Sequence, residues 1–437
     1  LIVKNKNNIK IKKYIILFTM SQTIFNIPNS NTPKFNVQIG VDTIAGRVIN
    51  QDSFCVIHKP EINCYLFMVA DGHGKDTGQI ASQTCTESLK TFTDENIELL
   101  QTNPVLFLEN YYKIAHQKVR ESFVKYIESK EDEANIDSKG IVSSRRKGTK
   151  SFKQITGGAT LSVTVFINNI LYSSNVGDSS GILFSNKSNL QQSMMKYEKD
   201  AADEHRTKTF VNAEFARELV LTSEHSPDSS DEYIRIRNFR KAELDENQAE
   251  LLFVYDITNR EKPLCPRIFD ISEDGTPTKA PMSEYYYKNV KKDLATYVSV
   301  PFNNDYPDAV AFTRSIGDFN ITAYGVSENP EIHSIDMNAV FMNDREMRLE
   351  EGEGGEPPIF CLVLATDGYW DNWTNEIAGK FIMDPSCLRA INTNPTEGAQ
   401  RVAKSFGQRN LYYANKNFGS SKDDQTCIVA YITKNSL

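Results

Sequence analysis

The chain has 437 residues, is 40% hydrophobic, and carries 49 Lys plus Arg against 57 Asp plus Glu, a net charge of -8. A core of several layers can be buried at this length, while the acidic balance argues against nucleic acid or a membrane surface as a partner, since both attract Lys and Arg clusters. Seven cysteines from Cys55 to Cys427, without a C-x-x-C pair, exclude a disulfide framework and a zinc ribbon; a reducing compartment, the cytoplasm or also the nucleus, is expected.

In chain order, the apolar run at residues 14–18 is too short to span a bilayer. Residues 1–19 hold five lysines and no acid, and the first methionine is Met20. Translation is expected to begin there, which would bring the net charge to -13. Residues 1–36 read as an extension and 37–433 as one domain, with no internal repeat. Residues 65–70 form an apolar run of strand length that stops at Asp71-Gly72. Residues 79–126 carry Leu, Phe, Ile and Val at helical spacing and predict two or more helices. The polar stretch 128–152 predicts an exposed loop.

Alternation returns at residues 161–184, a β-meander broken at Asn168-Asn169. Polar material follows to about Arg217, then a short strand at 219–221 and a helix after Pro227. Residues 238–310 are long, mixed in signal and rich in Tyr. Residues 350–356 are an acidic, glycine-rich loop; 359–366 is an unbroken apolar run ending at Asp367-Gly368. A helix is expected over 385–405 and a last strand over 426–432.

Acidic residues directly after apolar strands are the informative pattern: Asp71 and Asp367, with Asp52, Asp178, Asp371 and Asp423 also at strand edges or turns. One Asp-Gly is a turn signal. Several carboxylates meeting at one sheet end would repel each other unless cations neutralised them, and oxygen ligands without Cys or paired His favour Mg²⁺ or Mn²⁺ over zinc. The spacing of Asp367 and Asp371 allows one turn to bring both to the same face.

Eight ordered motifs then resemble the metal-dependent serine/threonine protein phosphatases of type 2C. They are Gly46-Arg47 with Asn50-Gln51-Asp52; Val69-Ala70-Asp71-Gly72-His73-Gly74; Gly158-Ala159-Thr160; Asn175-Val176-Gly177-Asp178-Ser179; Leu221-Thr222-Ser223-Glu224-His225-Ser226-Pro227 leading to Glu232 and Arg235; Thr313-Arg314-Ser315-Ile316-Gly317-Asp318; Ala365-Thr366-Asp367-Gly368-Tyr369-Trp370-Asp371; and Ser421-Lys422-Asp423-Asp424. The resemblance implies an α+β fold, a four-layer αββα sandwich of two mostly antiparallel sheets flanked by helices, with insertions near 128–152, 186–217, 238–310 and 336–357.

It also implies a site. Asp71 would bridge two ions, Mg²⁺ or Mn²⁺; the Gly72 carbonyl and Gln51 would ligate one and Asp367 and Asp423 the other. Asp178 and Asp371 match positions of a weaker third ion, Arg47 the arginine that grips the substrate phosphate, and His73 the general acid. The implied activity is hydrolysis of phosphoserine and phosphothreonine in protein substrates by a metal-bridging water, in a monomer. Glu224-His225, Arg314 and Asp318 are expected to hold loops and turns.

Gln51 stands where many relatives carry glutamate, so Gln51→Glu is expected to lower the metal concentration needed. Ser180, Lys75 and Asp424 replace a common arginine, glycine and asparagine; Asp424 adds charge beside Asp423, strengthening metal binding or facing water. Two rivals stand beside this reading. Gly177-Asp178-Ser179-Ser180-Gly181 fits the serine-hydrolase elbow, which requires a helix after the turn, whereas β-like segments flank the motif here. The other is a catalytically weak, phosphatase-like binding module.

Overall fold

The computed structural model describes residues 35–75, 77–187, 190–199, 206–215, 217–243, 250–256, 265–281, 287–300, 309–341 and 358–434. The expectations for Met20, for residues 1–34 and for the loop 350–356 lie outside the described residues. Residues 33–437 form one compact unit.

Two sheets dominate it. Their strands are β1 (Phe35–Ile44), β2 (Ser53–Lys59), β3 (Cys64–Ala70), β4 (Leu161–Ile167), β5 (Ile170–Val176), β6 (Ser180–Ser185), β7 (Leu190–Lys199), β8 (Arg206–Phe215), β9 (Glu218–Val220), β10 (Glu331–Asp336), β11 (Phe360–Ala365) and β12 (Gln425–Lys434). One sheet runs β1-β12-β11-β6-β9 and the other β8-β7-β10-β5-β4-β3-β2. Every pairing within them is antiparallel.

The central strands β3, β11 and β12 are largely apolar on both faces, and their two-residue period sorts the side chains into three layers. In β3, Leu66, Met68 and Ala70 point to the helices Gly78–Glu95 and Pro104–Ser129, where they meet Ala81, Leu89, Phe107 and Tyr111. Phe67 and Val69 point the other way, between the sheets, against Leu362, Leu364, Ile428 and Ala430. On β11 and β12, Cys361, Val363, Cys427 and Val429 face Trp373, Ala403 and Phe406, on and beside the helices Asn375–Ile382 and Gly398–Asn417. These layers are helix, sheet, sheet, helix, the expected αββα sandwich. Truncating the fully buried Phe67 to alanine in the middle layer would cost about 3–5 kcal/mol.

Local chemistry sets the helix ends. Asn103 caps Pro104–Ser129, its side-chain oxygen accepting from Leu106 N at 3.1 Å, with Pro104 in the first turn. The single helix expected over 385–405 is instead two, Pro385–Thr393 and Gly398–Asn417. Asn394 precedes Pro395, which disfavours helical backbone at the residue before it.

Three further differences concern insertions. The stretch expected as an exposed loop, 128–152, contains the strands Glu133–Ile136 and Val142–Arg145, which pair with each other; Lys153–Gln154 joins as a third. Val142 is buried in the helix-side core, and that anchors them. The polar segment 186–217 is the β7–β8 hairpin, in register from Leu190↔Phe215 to Lys199↔Arg206, extending the larger sheet past β10. Residues 238–310 add the strands Leu252–Tyr255 and Thr296–Ser299, whose side chains build a separate core with Phe253, Phe269, Val298 and Phe312.

Candidate metal and phosphate site

The site gathers where β3 and β11 end. Asp71 follows β3, and its backbone is held by Thr160, whose N–H donates to the Asp71 carbonyl at 2.9 Å. Asp367 follows β11 and opens a single helical turn, Asp367–Trp370. The Asp371 N–H donates to the Asp367 carbonyl at 2.7 Å, so the spacing of the two residues does close one turn. The Trp370 indole N–H pins that turn to the Ser180 and Ala365 carbonyls at 3.0 and 3.1 Å.

Loops approach closely here because glycines let backbone lie on backbone. A Cβ at Gly72 would stand 2.2 Å from the Gly78 carbonyl oxygen, and one at Gly368 would stand 1.9 Å from that of Asp424. Asp424 does not face water. It is 3% exposed and accepts from Gly46 N at 2.8 Å and Gln51 N at 2.8 Å, so its added carboxylate ties the loop 46–51 to the start of β12. That loop presents Arg47, whose Nη2 lies 3.3 Å from Asp423 Oδ2 at the exposed rim. The Gln51 amide donates to the Gly74 carbonyl at 2.7 Å; a Gln51→Glu change would trade that donor for charge.

Electrostatics singles out the cluster. Burial together with neighbouring carboxylates holds Asp71 and Asp367 well above the usual carboxylate range. Burial also pushes Asp52 up to about 7, against hydrogen bonds from Thr426 and Thr366. It pushes Asp371 up to about 7 against the nearby Lys288, and raises Asp423 against Arg47. Among the described residues, no three Asp, Glu, His or Cys side chains already stand in a geometry that would hold an ion. The fit to a hard divalent cation lies instead in the donors. They are all oxygens, they repel one another, and the Asp367 and Asp52 Oδ1 atoms are buried without a hydrogen-bond partner.

His73 lies in the short strand Gly72–His73, which pairs with Gly158–Ala159, itself paired to Ile316–Gly317. Its Nε2 is 2.8 and 2.9 Å from the two Asp318 carboxylate oxygens, and its ring packs edge-on against Phe312. Asp318 was expected only to hold a turn. It does so, its carbonyl accepting from Ile321 and Thr322, but its side chain also reaches His73. No local sequence signal shows this, because 245 residues separate the pair.

Asp178 sits after Gly177, whose positive φ of 88° brings the turn against Thr160. Lys288 Nζ lies 3.8 Å from its Oδ2. Ser179, the elbow serine of the hydrolase rival, is fully buried, bonds the Thr160 hydroxyl at 2.6 Å and leads into a strand, β6. It has neither the exposure nor the helix that a nucleophile elbow needs.

An αββα sandwich with a carboxylate cluster where strands of both sheets end, an arginine at its rim and a histidine–aspartate pair beside it defines the class. Residues 43–243 match the family described as protein phosphatase 2C. That segment, a little under half of the chain, is similar to the protein phosphatase 2C family.

Among solved structures, a Caenorhabditis elegans sex determining protein aligns at 14% identity and a TM-score of 0.50, over 90% of this chain and 64% of that one. This chain thus spans less than two thirds of that relative, and the likeness supports the fold. A serine-threonine phosphatase 2C from Toxoplasma gondii aligns at 14% identity over 93% and 98% of the two chains, with a TM-score of 0.48. A serine/threonine phosphatase from Staphylococcus aureus aligns at 14% over 92% and 98%, with a TM-score of 0.37. No curated protein matches the sequence. No helix of the described residues is long and apolar enough to cross a membrane.

Proposed function

We propose that the chain is a metal-dependent protein serine/threonine phosphatase, with residues 37–433 as its catalytic domain and Asp71, the Gly72 carbonyl, Gln51, Asp367 and Asp423 as the residues that would hold two Mg²⁺ or Mn²⁺ ions. The observation that carries this is the convergence of carboxyls from different sheets: Asp367, after β11, and Asp423, before β12, raise the Asp71 carboxyl at the end of β3. Bound there, two divalent cations would lower the pKa of a shared water that attacks phosphorus in line.

The chain's own residues supply the rest. Arg47, at the exposed rim, offers a planar fork of donors matched to phosphate oxygens. The departing serine or threonine oxygen is strongly basic, and His73 is the group to protonate it, its ring held by Asp318 at 2.8 Å. The substrates are phosphorylated proteins, met as a monomer.

The test is turnover of phosphoserine and phosphothreonine peptides by the purified chain with Mn²⁺, beside Asp367→Ala. Metal-dependent release of phosphate by the parent and its loss in the variant are expected. No turnover in the parent would favour the binding module.

A further inference from the structure

The insertion 238–310 sends a cation into the carboxylate cluster. Residues 287–294 form a tight turn closed by the Lys288 N–H to the Asp293 carbonyl at 2.9 Å and by Asn289, whose side-chain oxygen accepts from the N–H groups of Lys291 and Asp293 at 3.1 and 3.2 Å. The turn docks on Asp371, whose carbonyl accepts from Val290 N–H at 3.1 Å.

That docking delivers Lys288. Its side chain is 23% exposed, with Nζ at 3.8 Å from both Asp178 Oδ2 and Glu224 Oε1. The ammonium therefore sits beside two carboxylates, on a turn bonded to the Asp371 backbone.

We propose that Lys288 is a built-in counter-cation that takes the outer position beside Asp178 and Asp371, so that divalent ions load only the inner position and a third ion is kept out. A divalent ion bound to Asp178 and Asp371 would lie within a few ångströms of the ammonium and be repelled by it. The inference rests on the reading of Asp71, Asp367 and Asp423 as the metal-holding set. It makes the insertion part of the metal centre: whatever lifts the 287–294 turn would expose a new ion position.

The test counts Mn²⁺ bound to the full chain, by calorimetry and by electron paramagnetic resonance of the free ion, in wild type, Lys288→Met, Lys288→Arg and Lys288→Met/Asp178→Asn. Wild type and Lys288→Arg should take up two ions. Lys288→Met should show a third uptake at least ~10-fold tighter than any in wild type, and the double variant should lose it. Hydrogen exchange in wild type should show residues 287–294 equally protected with and without Mn²⁺, a reading that stands even if Lys288→Met fails to fold.

Equal third-ion binding in wild type and Lys288→Met, or release of the turn when wild type takes up Mn²⁺, would overturn the assignment. So would two ions and no third in both proteins, with the metal centre itself intact. No Mn²⁺ uptake by either protein would overturn the metal centre and this inference together.

Discussion

His73 and Asp318 are a unit that only the fold creates. Asp318 is 1% exposed and presents both carboxylate oxygens to one imidazole nitrogen. A carboxylate at that distance fixes the orientation of the ring. On the proposed role of His73 as the acid, Asp318 is a positioning residue. In Asp318→Asn, kcat on a phosphoserine peptide should fall by about 10 to 10²-fold. Turnover of p-nitrophenyl phosphate, whose leaving group needs no proton, should change little. A uniform loss on both substrates would mean that Asp318 only holds its turn. The acids at strand ends were readable from the chain because strand, turn and carboxylate are neighbours in sequence. The partner of His73 was not, and neither was the role of Asp424, because adjacency to Asp423 suggests charge while its bonds run to Gly46 and Gln51.

The segment that carries Asp318 is itself held by a buried ionic network between elements. Glu232, on the helix Ser230–Glu243, accepts from Arg314 Nε at 3.1 Å and Arg235 Nη2 at 2.8 Å, and from the Thr313 hydroxyl at 2.6 Å. Arg314 also reaches Glu331, at the start of β10, at 3.2 Å, where Lys196 of β7 joins at 3.3 Å. The expected role of Arg314 as a holder of loops therefore stands. Burial alone would raise the Glu331 carboxyl, but Arg314 and the Ser223 hydroxyl outweigh it and hold it at about 2, below its ordinary 4.5. A carboxyl held low contributes stability that is present above pH 4.5 and lost as pH falls towards 2.

Denaturant unfolding at pH 6 and pH 3 should then show that wild type loses about 2 kcal/mol more between the two than Glu331→Gln does. Equal losses would assign the acid sensitivity elsewhere. Removing Glu232 by Glu232→Ala should cost about 3–5 kcal/mol, because two arginines lose their buried counter-charge. At this scale the sequence was legible where apolar runs of strand length were strong, as in β3, β4 and β11. It was not legible in the β7–β8 hairpin, whose mixed polar residues take their ladder from β10, nor in the strands of 128–152, which rest on the single buried Val142.

The whole molecule is two sheets whose strands bring like charges together at one end of the sandwich. Asp71 comes from the sheet of β3, and Asp367 and Asp423 from the sheet of β11 and β12, so repulsion among them works across the seam between the sheets. That cost is a property of the assembled fold, since an unfolded chain keeps the acids apart. Cations that bind only the folded state should repay it: about 2.7 kcal/mol of added stability at a hundredfold excess over the dissociation constant. Thermal unfolding should therefore shift upward with Mn²⁺ or Mg²⁺ and return on chelation. Asp367→Ala should behave differently in both directions. Without ion it should melt no lower than wild type, because a repelled buried acid has gone, and with Mn²⁺ its shift should largely vanish. A wild-type melting temperature indifferent to both ions would show that the cluster does not join the two sheets through metal.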